Sequence, residues 1–101
     1  MTIIEVIKNK KQFLSLLLLA DEQENMIDRY LERGTMYVLN DNGVKAECVV
    51  TDECNGILEI KNIATVPEYQ GKGYAKALID FIVKAVSYTH LRAHETKANL
   101  V

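Results

Sequence analysis

The stretch Asn62-Ile63-Ala64-Thr65-Val66-Pro67-Glu68-Tyr69-Gln70-Gly71-Lys72-Gly73-Tyr74-Ala75 leaves the chain few ways to fold around it. A run of strand-forming residues meets Pro67, which cannot donate to a ladder and biases Val66 towards extended geometry, so a strand ends there. Gly71 and Gly73 then allow a tight turn whose N–H groups could come close to a ligand. From Lys72 the apolar residues Ala75, Leu78, Ile79, Ile82, Val83 and Val86 recur at helical spacing, which predicts a helix over 72–86 with one buried face. Its first amides lack internal partners and sit at the positive end of the helix dipole, a setting that suits an anion such as phosphate. On the residues alone two readings stay open, a phosphate cradle and a plain tight joint between strand and helix. A P-loop is excluded by the missing Gly-x-x-x-x-Gly-Lys-Ser/Thr spacing. A dinucleotide fingerprint would need glycine where Lys76 stands.

The residues before this stretch predict an α+β chain. Thr2 to Ile7 is β-branched and short, a first strand (β1). Asn9 and Gln12 have capping-box spacing ahead of the apolar run Phe13 to Ala20 (α1), which reads as core against a sheet. Asp21 and Glu24 repeat the cap pattern and open a helical stretch to Gly34 (α2), with Met26, Ile27, Tyr30 and Leu31 on one face. Thr35 to Asn40 (β2), the turn Asp41-Asn42-Gly43 and Val44 to Thr51 (β3) form a hairpin, because asparagine and glycine tolerate positive φ. A polar turn, Asp52 to Gly56, leads to Ile57 to Val66 (β4). The resulting meander feeds directly into the glycine-rich turn and its helix (α3).

Composition removes several function classes. With 101 residues the chain is one domain, and a formal net charge of −2 supplies no basic field for a nucleic acid backbone or an anionic membrane. The apolar run through Ala20 is far too short to span a bilayer. Glu5 stands where a signal peptide would carry basic charge. Cys48 and Cys54 form neither a CxxC pair nor a disulfide framework, so a reduced, cytoplasmic setting is expected. His90 and His94 would share a face if their segment were helical, but three or four ligands are needed for zinc and no His-Glu-x-x-His run exists, so no metal is expected.

Gln70-Gly71-Lys72-Gly73-Tyr74-Ala75 resembles the Gln/Arg-x-x-Gly-x-Gly/Ala signature of the GNAT superfamily of acetyl-CoA-dependent N-acetyltransferases. The order β1-α1-α2-β2-β3-β4-α3 is also similar to that family's, over roughly residues 1–86. The resemblance implies that the amides from Gln70 through Gly71, Lys72, Gly73 and Tyr74 to Ala75 hold the coenzyme A pyrophosphate. It implies that the main chain at Ile63, Ala64 and Thr65, where the family's fourth strand bulges, pairs with the pantetheine arm. The Lys72 side chain is placed to add a contact; Tyr69 and Tyr74 read as packing residues. Glu59 matches the general base of some members, against the plainer reading of a glutamate in solvent or paired with Lys61 or Lys45. The family's tyrosine general acid has no counterpart here.

The same resemblance implies a truncated fold. The family continues with a fifth strand parallel to the fourth, then a helix and two more strands, whereas residues 87–101 read as a non-family tail, helical or disordered. That run resembles ends of truncated reading frames in assembled sequence data, of adaptor or vector origin. The expectation is therefore a partial acetyltransferase domain over 1–86, from a parent acting on an amine of a small molecule or peptide. The chain itself is expected to be inactive, with an exposed β4 edge open to self-association. The alternative is a non-catalytic module that binds coenzyme A or a protein partner.

Overall fold

The computed structural model describes residues 1–54, 56–85 and 90–93. In chain order these form β1 (Thr2–Val6), a 3₁₀ turn (Lys10–Phe13), α1 (Leu14–Ala20), α2 (Glu24–Asp28), β2 (Thr35–Asn40), β3 (Val44–Asp52), β4 (Ile57–Thr65), a second 3₁₀ turn (Pro67–Tyr69), α3 (Tyr74–Ala85) and β5 (His90–Ala93). The strands make one sheet in the order β1-β2-β3-β4-β5. The first four are antiparallel, as their short connections require, and β5 runs parallel to β4. At the β2–β3 turn Asn42 and Gly43 take positive φ (57° and 105°), and the Gly43 amide donates to Asn40 Oδ1 at 3.0 Å.

Strand alternation sends successive side chains to opposite faces, and each face has its own helices. Met36, Val38 and Val49 pack with Leu17, Ile27 and Leu31 from the α1–α2 segment. On the other face Leu39, Cys48, Val50 and Ile63 pack with Leu78 and Ile82 of α3. Leu78 and Ile82 are fully buried, which stabilises the docking of α3 by roughly 1.5–3 kcal/mol per side chain. Val83, expected on the buried face, is half exposed.

The β3–β4 ladder contains one irregularity. Val49 pairs with Asn62, but Val50 pairs with Ile60, so Lys61 is an extra residue on β4. The bulge therefore lies at Lys61, ahead of the Ile63–Thr65 segment where it was expected. Because one residue is inserted, Glu59 (opposite Thr51) and Asn62 (opposite Val49) enter the same face, the one covered by α1 and α2.

The helical stretches depart from the sequence pattern in two places. Asn9 is left-handed (φ 53°) and makes no side-chain cap; the chain enters through a 3₁₀ turn instead, with the Gln12 amide donating to the Asn9 carbonyl. The second helix stops at Asp28 instead of running towards Gly34. Beyond it the chain turns its carbonyls towards Lys10, whose buried Nζ donates to Leu31 (2.9 Å), Glu32 (3.4 Å) and Gly34 (2.7 Å). The Asp21 carboxylate is not a helix cap: it accepts from the Gln23 amide and from the Tyr30 hydroxyl.

The largest departure is at the end of the chain, where a helical or disordered tail was expected. His90–Ala93 pairs with Ile57–Ile60, so α3 is the crossover between two parallel neighbours. The unpaired ladder groups along β4 outweigh the weak strand pattern of His90-Leu91-Arg92-Ala93. His90 lies in a strand and not on a helix face; His94 falls outside the described residues. The β4 edge is thus covered over Ile57–Ile60.

Gly34 sits where the post-α2 turn crosses β3. A Cβ built there would lie 2.8 Å from the Tyr30 carbonyl oxygen, 2.9 Å from Val49 Cγ1 and 3.0 Å from the Val50 carbonyl oxygen. Two of these three are backbone atoms that cannot rotate away. Gly34→Ala should lower the unfolding free energy by about 1–3 kcal/mol, the usual cost of overpacking, as read by urea denaturation.

Candidate cofactor and catalytic site

The turn between β4 and α3 is built as its residues require. After Pro67 the 3₁₀ turn closes with Tyr69 N donating to the Val66 carbonyl (2.9 Å) and Gln70 N to the Pro67 carbonyl (3.3 Å). The Gln70 amide is thereby committed, and its side-chain Nε2 reaches the Thr65 carbonyl at 3.5 Å. Gly71 and Gly73 take φ of 82° and 84°. A Cβ at either would meet no atom within 4 Å, so the space in front of the turn is open. The first helical hydrogen bond runs from Ala77 N to the Gly73 carbonyl, which leaves Tyr74, Ala75 and Lys76 as the orphan first-turn amides of α3.

The β2–β3 hairpin braces this turn. Val66 N donates to the Lys45 carbonyl at 2.8 Å, and the Tyr74 hydroxyl donates to Asp41 Oδ2 at 2.7 Å. Lys45 Nζ lies 4.0 Å from the Tyr69 ring centroid and Lys72 Nζ 5.6 Å from it, so one aromatic ring gathers two ammonium groups beside the glycines. Lys45 was considered above as a partner of Glu59; it belongs to the turn instead. Neither Lys45 nor Asp41 could be assigned there from sequence, because the hairpin tip meets the turn only in the folded chain.

Upstream of the turn, β5 pairs with β4 only as far as Ile60↔Ala93. Among the described residues no strand pairs with the outer edge of β4 from Lys61 to Thr65. Ile63, Ala64 and Thr65 therefore present main-chain groups along an open edge that leads to Gly71 and Gly73. Their inner edge is taken by Cys48, Glu47 and Ala46 of β3.

Glu59 lies on the other half of β4 and on the α1–α2 face. It forms an ion pair with Lys61, the bulge residue, and the two side chains are 9% and 12% exposed. Thr51 opposite donates to Glu53 Oε2 at 2.6 Å, and this hydrogen bond holds the Glu53 carboxyl below its ordinary pKa. The bulge thus places a carboxylate and an ammonium next to the open half of β4, a pairing suited to moving a proton.

Sequence reasoning missed Glu47, which is completely buried at the centre of β3 between Val38 and Ala64. Neither carboxylate oxygen has a hydrogen-bond partner, and burial pushes its pKa well up. A charged residue inside Val44-Lys45-Ala46-Glu47-Cys48-Val49 was the available signal. Burial also raises the Cys48 thiol, with Glu47 contributing. Among the described residues no group of three or more His, Cys, Asp or Glu is placed to hold a metal ion, and no helix is long and apolar enough to cross a membrane.

Comparison with known proteins bears on this geometry. The acetyltransferase (GNAT) domain profile matches residues 32–100. Among solved structures, the chain is similar to an IAA acetyltransferase from Bacillus cereus (34% identity, TM-score 0.74), covering 85% of this chain and 59% of that one. A GNAT family acetyltransferase from Elizabethkingia anophelis with acetyl-CoA bound has 30% identity and a TM-score of 0.79, covering 89% and 61%. A Bacillus subtilis acetyltransferase in complex with CoA has 34% identity and a TM-score of 0.72, covering 82% and 56%. No curated protein matches. The chain belongs to the GNAT acetyltransferase family, and it spans about three fifths of the length of these relatives.

The brace between turn and hairpin can be read optically. The hydrogen bond to Asp41 raises the pKa of the Tyr74 phenol, so the folded state holds that proton more tightly than the unfolded chain. Its contribution to stability is complete below the ordinary phenol range and is lost as pH rises through the folded value. In tyrosinate absorbance titrations, Tyr74→Phe should remove one late-titrating phenol and Asp41→Asn should move it back towards the ordinary range.

Proposed function

We propose that residues 1–86 carry the coenzyme-holding part of an N-acetyltransferase that moves an acetyl group from acetyl-CoA to an amine of a small molecule or peptide. The observation that carries this reading is the continuous backbone surface formed by the open β4 edge and the turn at Gly71 and Gly73. The pyrophosphate would rest on main-chain amides from Gly71 to Ala75, with the Gln70 side chain and Lys72 beside them. The pantetheine arm would pair with Ile63, Ala64 and Thr65. Two similar structures with bound acetyl-CoA or CoA support the assignment. Lys45 is added to the sequence-derived set, because its ammonium stands over Tyr69 next to the turn.

Acetyl transfer requires the attacking amine to be neutral and to lose a second proton as the new bond forms. Glu59 is the residue proposed to take it, with Lys61 fixing the carboxylate and offering a charge to which the proton's departure can be coupled. A positioned base of this kind contributes about 10²- to 10⁴-fold. The acceptor would approach from the α1–α2 face, where Glu59 points. The chain covers only about three fifths of its relatives, so the 101 residues alone are proposed to bind coenzyme A while turning over little or no acetyl-CoA. Self-association through the open part of the β4 edge, Lys61 to Thr65, is proposed as its accompanying hazard.

Titration calorimetry with CoA separates these claims. The folded chain should bind CoA. Gly71→Ala and Gly73→Ala should each weaken binding by up to about five- to thirtyfold, because a side chain at their φ costs about 1–2 kcal/mol in the turn itself. Glu59→Gln should leave CoA affinity unchanged. A folded monomer that does not bind CoA overturns the cofactor assignment, and steady acetyl-CoA turnover with a panel of amines overturns the inactivity of the isolated chain.

A further inference from the structure

Three buried oxygens on the α1–α2 face have no hydrogen-bond partner: both carboxylate oxygens of Glu47 and Oδ1 of Asn62. All three accept if Glu47 is ionised, so none can satisfy another. The Asn62 orientation is settled by chemistry, since its amide nitrogen donates to the Leu17 carbonyl (3.0 Å), an oxygen that can only accept. Oδ1 must therefore be the atom left over. The same nitrogen donates to the Tyr30 hydroxyl (3.1 Å), and Tyr30 donates onward to Asp21 Oδ2 (3.1 Å). Every bond in this series points away from the sheet towards Asp21, and only its first donor is missing.

Glu47 is in position to be that donor. It pairs with Ala64 and Asn62 pairs with Val49, so Glu47 and Asn62 are diagonal neighbours on one face, within reach of a long side chain. We propose that Glu47 is carried as the neutral acid and donates to Asn62 Oδ1, completing a chain from Glu47 through Asn62 and Tyr30 to Asp21 that locks the α1–α2 segment to the sheet and releases it when the proton departs to solvent. The surrounding charges agree. From the α1–α2 segment the facing titratable groups are Asp21 and Tyr30, neither of them a cation at neutral pH. From β4 come Glu59 and Lys61, which are paired with each other. On β3 the Lys45 ammonium is taken up by the Asn42 carbonyl and Tyr69, and Cys48 enters the opposite face. From β2, the facing Met36 and Val38 carry no charge. Among the described residues none of these groups is a cation left to hold a buried Glu47 anion, and burial raises the pKa of both Glu47 and Tyr30.

The sign follows from the direction of the Glu47 shift. A carboxyl whose folded pKa lies above its unfolded value adds stability that is complete below the ordinary carboxylate range and is lost as pH rises through the folded pKa. Amide hydrogen exchange on the 101-residue chain, corrected for the intrinsic pH dependence of exchange, tests this directly. The opening constant of residues 17–31 should grow by up to about tenfold per pH unit between the ordinary carboxylate range and the raised pKa of folded Glu47, and level off above it. Glu47→Gln should flatten that dependence, because its amide donates to Asn62 Oδ1 at every pH. Infrared spectra of the unaltered chain at neutral pH should contain the carbonyl band of a protonated carboxylic acid. Absence of that band, a pH-independent opening constant, or an equal slope in Glu47→Gln each overturns the proposal.

Discussion

One inserted residue in β4 decides which face of the sheet receives each polar side chain. Without the extra Lys61, strict alternation would put Glu59 on the face of Ile63, beneath α3. With it, Glu59 and Asn62 enter the α1–α2 side, while Ile60 and Ile63 stay with Leu78 and Ile82. The sheet is thereby divided chemically. Its α3 face is an apolar core, and its α1–α2 face carries Glu47, Asn62, Glu59 and the Tyr30–Asp21 pair. The bulge also marks the last part of β4 before pairing to β5 ceases, so one irregularity sets both the orientation of the acid and the start of the open edge.

The opposite end of β4 is held by different means. Backbone groups form the turn, and the hairpin tip keeps it in place through Tyr74–Asp41 and Val66–Lys45. Anion binding by amides, as proposed for this turn, needs rigid geometry more than particular side chains. Proton transfer needs a particular side chain, and the residue proposed for it, Glu59, lies on the far side of the bulge. The two demands are met by adjacent halves of a single strand.

The meander and the turn were legible because their determinants are local. Asp41-Asn42-Gly43 sets its hairpin by backbone preference, and Pro67 ends β4 within a residue of where the ladder stops. Features that depend on tertiary partners were not legible. Asn9 and Asp21 have the composition of caps, yet one is left-handed and the other spends its carboxylate on Tyr30. The second helix was overextended because nothing local reveals that Lys10 collects the carbonyls after Asp28. The end of the chain was read as helical or disordered because the pairing of β5 is imposed by the waiting edge of β4. In the candidate site, Gln70 to Ala75 were proposed from the motif. Glu47 escaped because a charge in the middle of a strand ordinarily faces water, and only the docking of α1 and α2 removes it.

Lys10 has a consequence of a different kind. Its Nζ, directed at three carbonyls and 8% exposed, is shielded from an electrophile while the fold is closed. Lys11, its neighbour in sequence, is paired to Glu24 and Asp28 at the surface and stays exposed to solvent. Towards any acylating reagent, the two adjacent lysines therefore form an internal clock. Acylation of Lys11 would count exposure to the reagent, and acylation of Lys10 would count the moments when the turn after α2 has come undone.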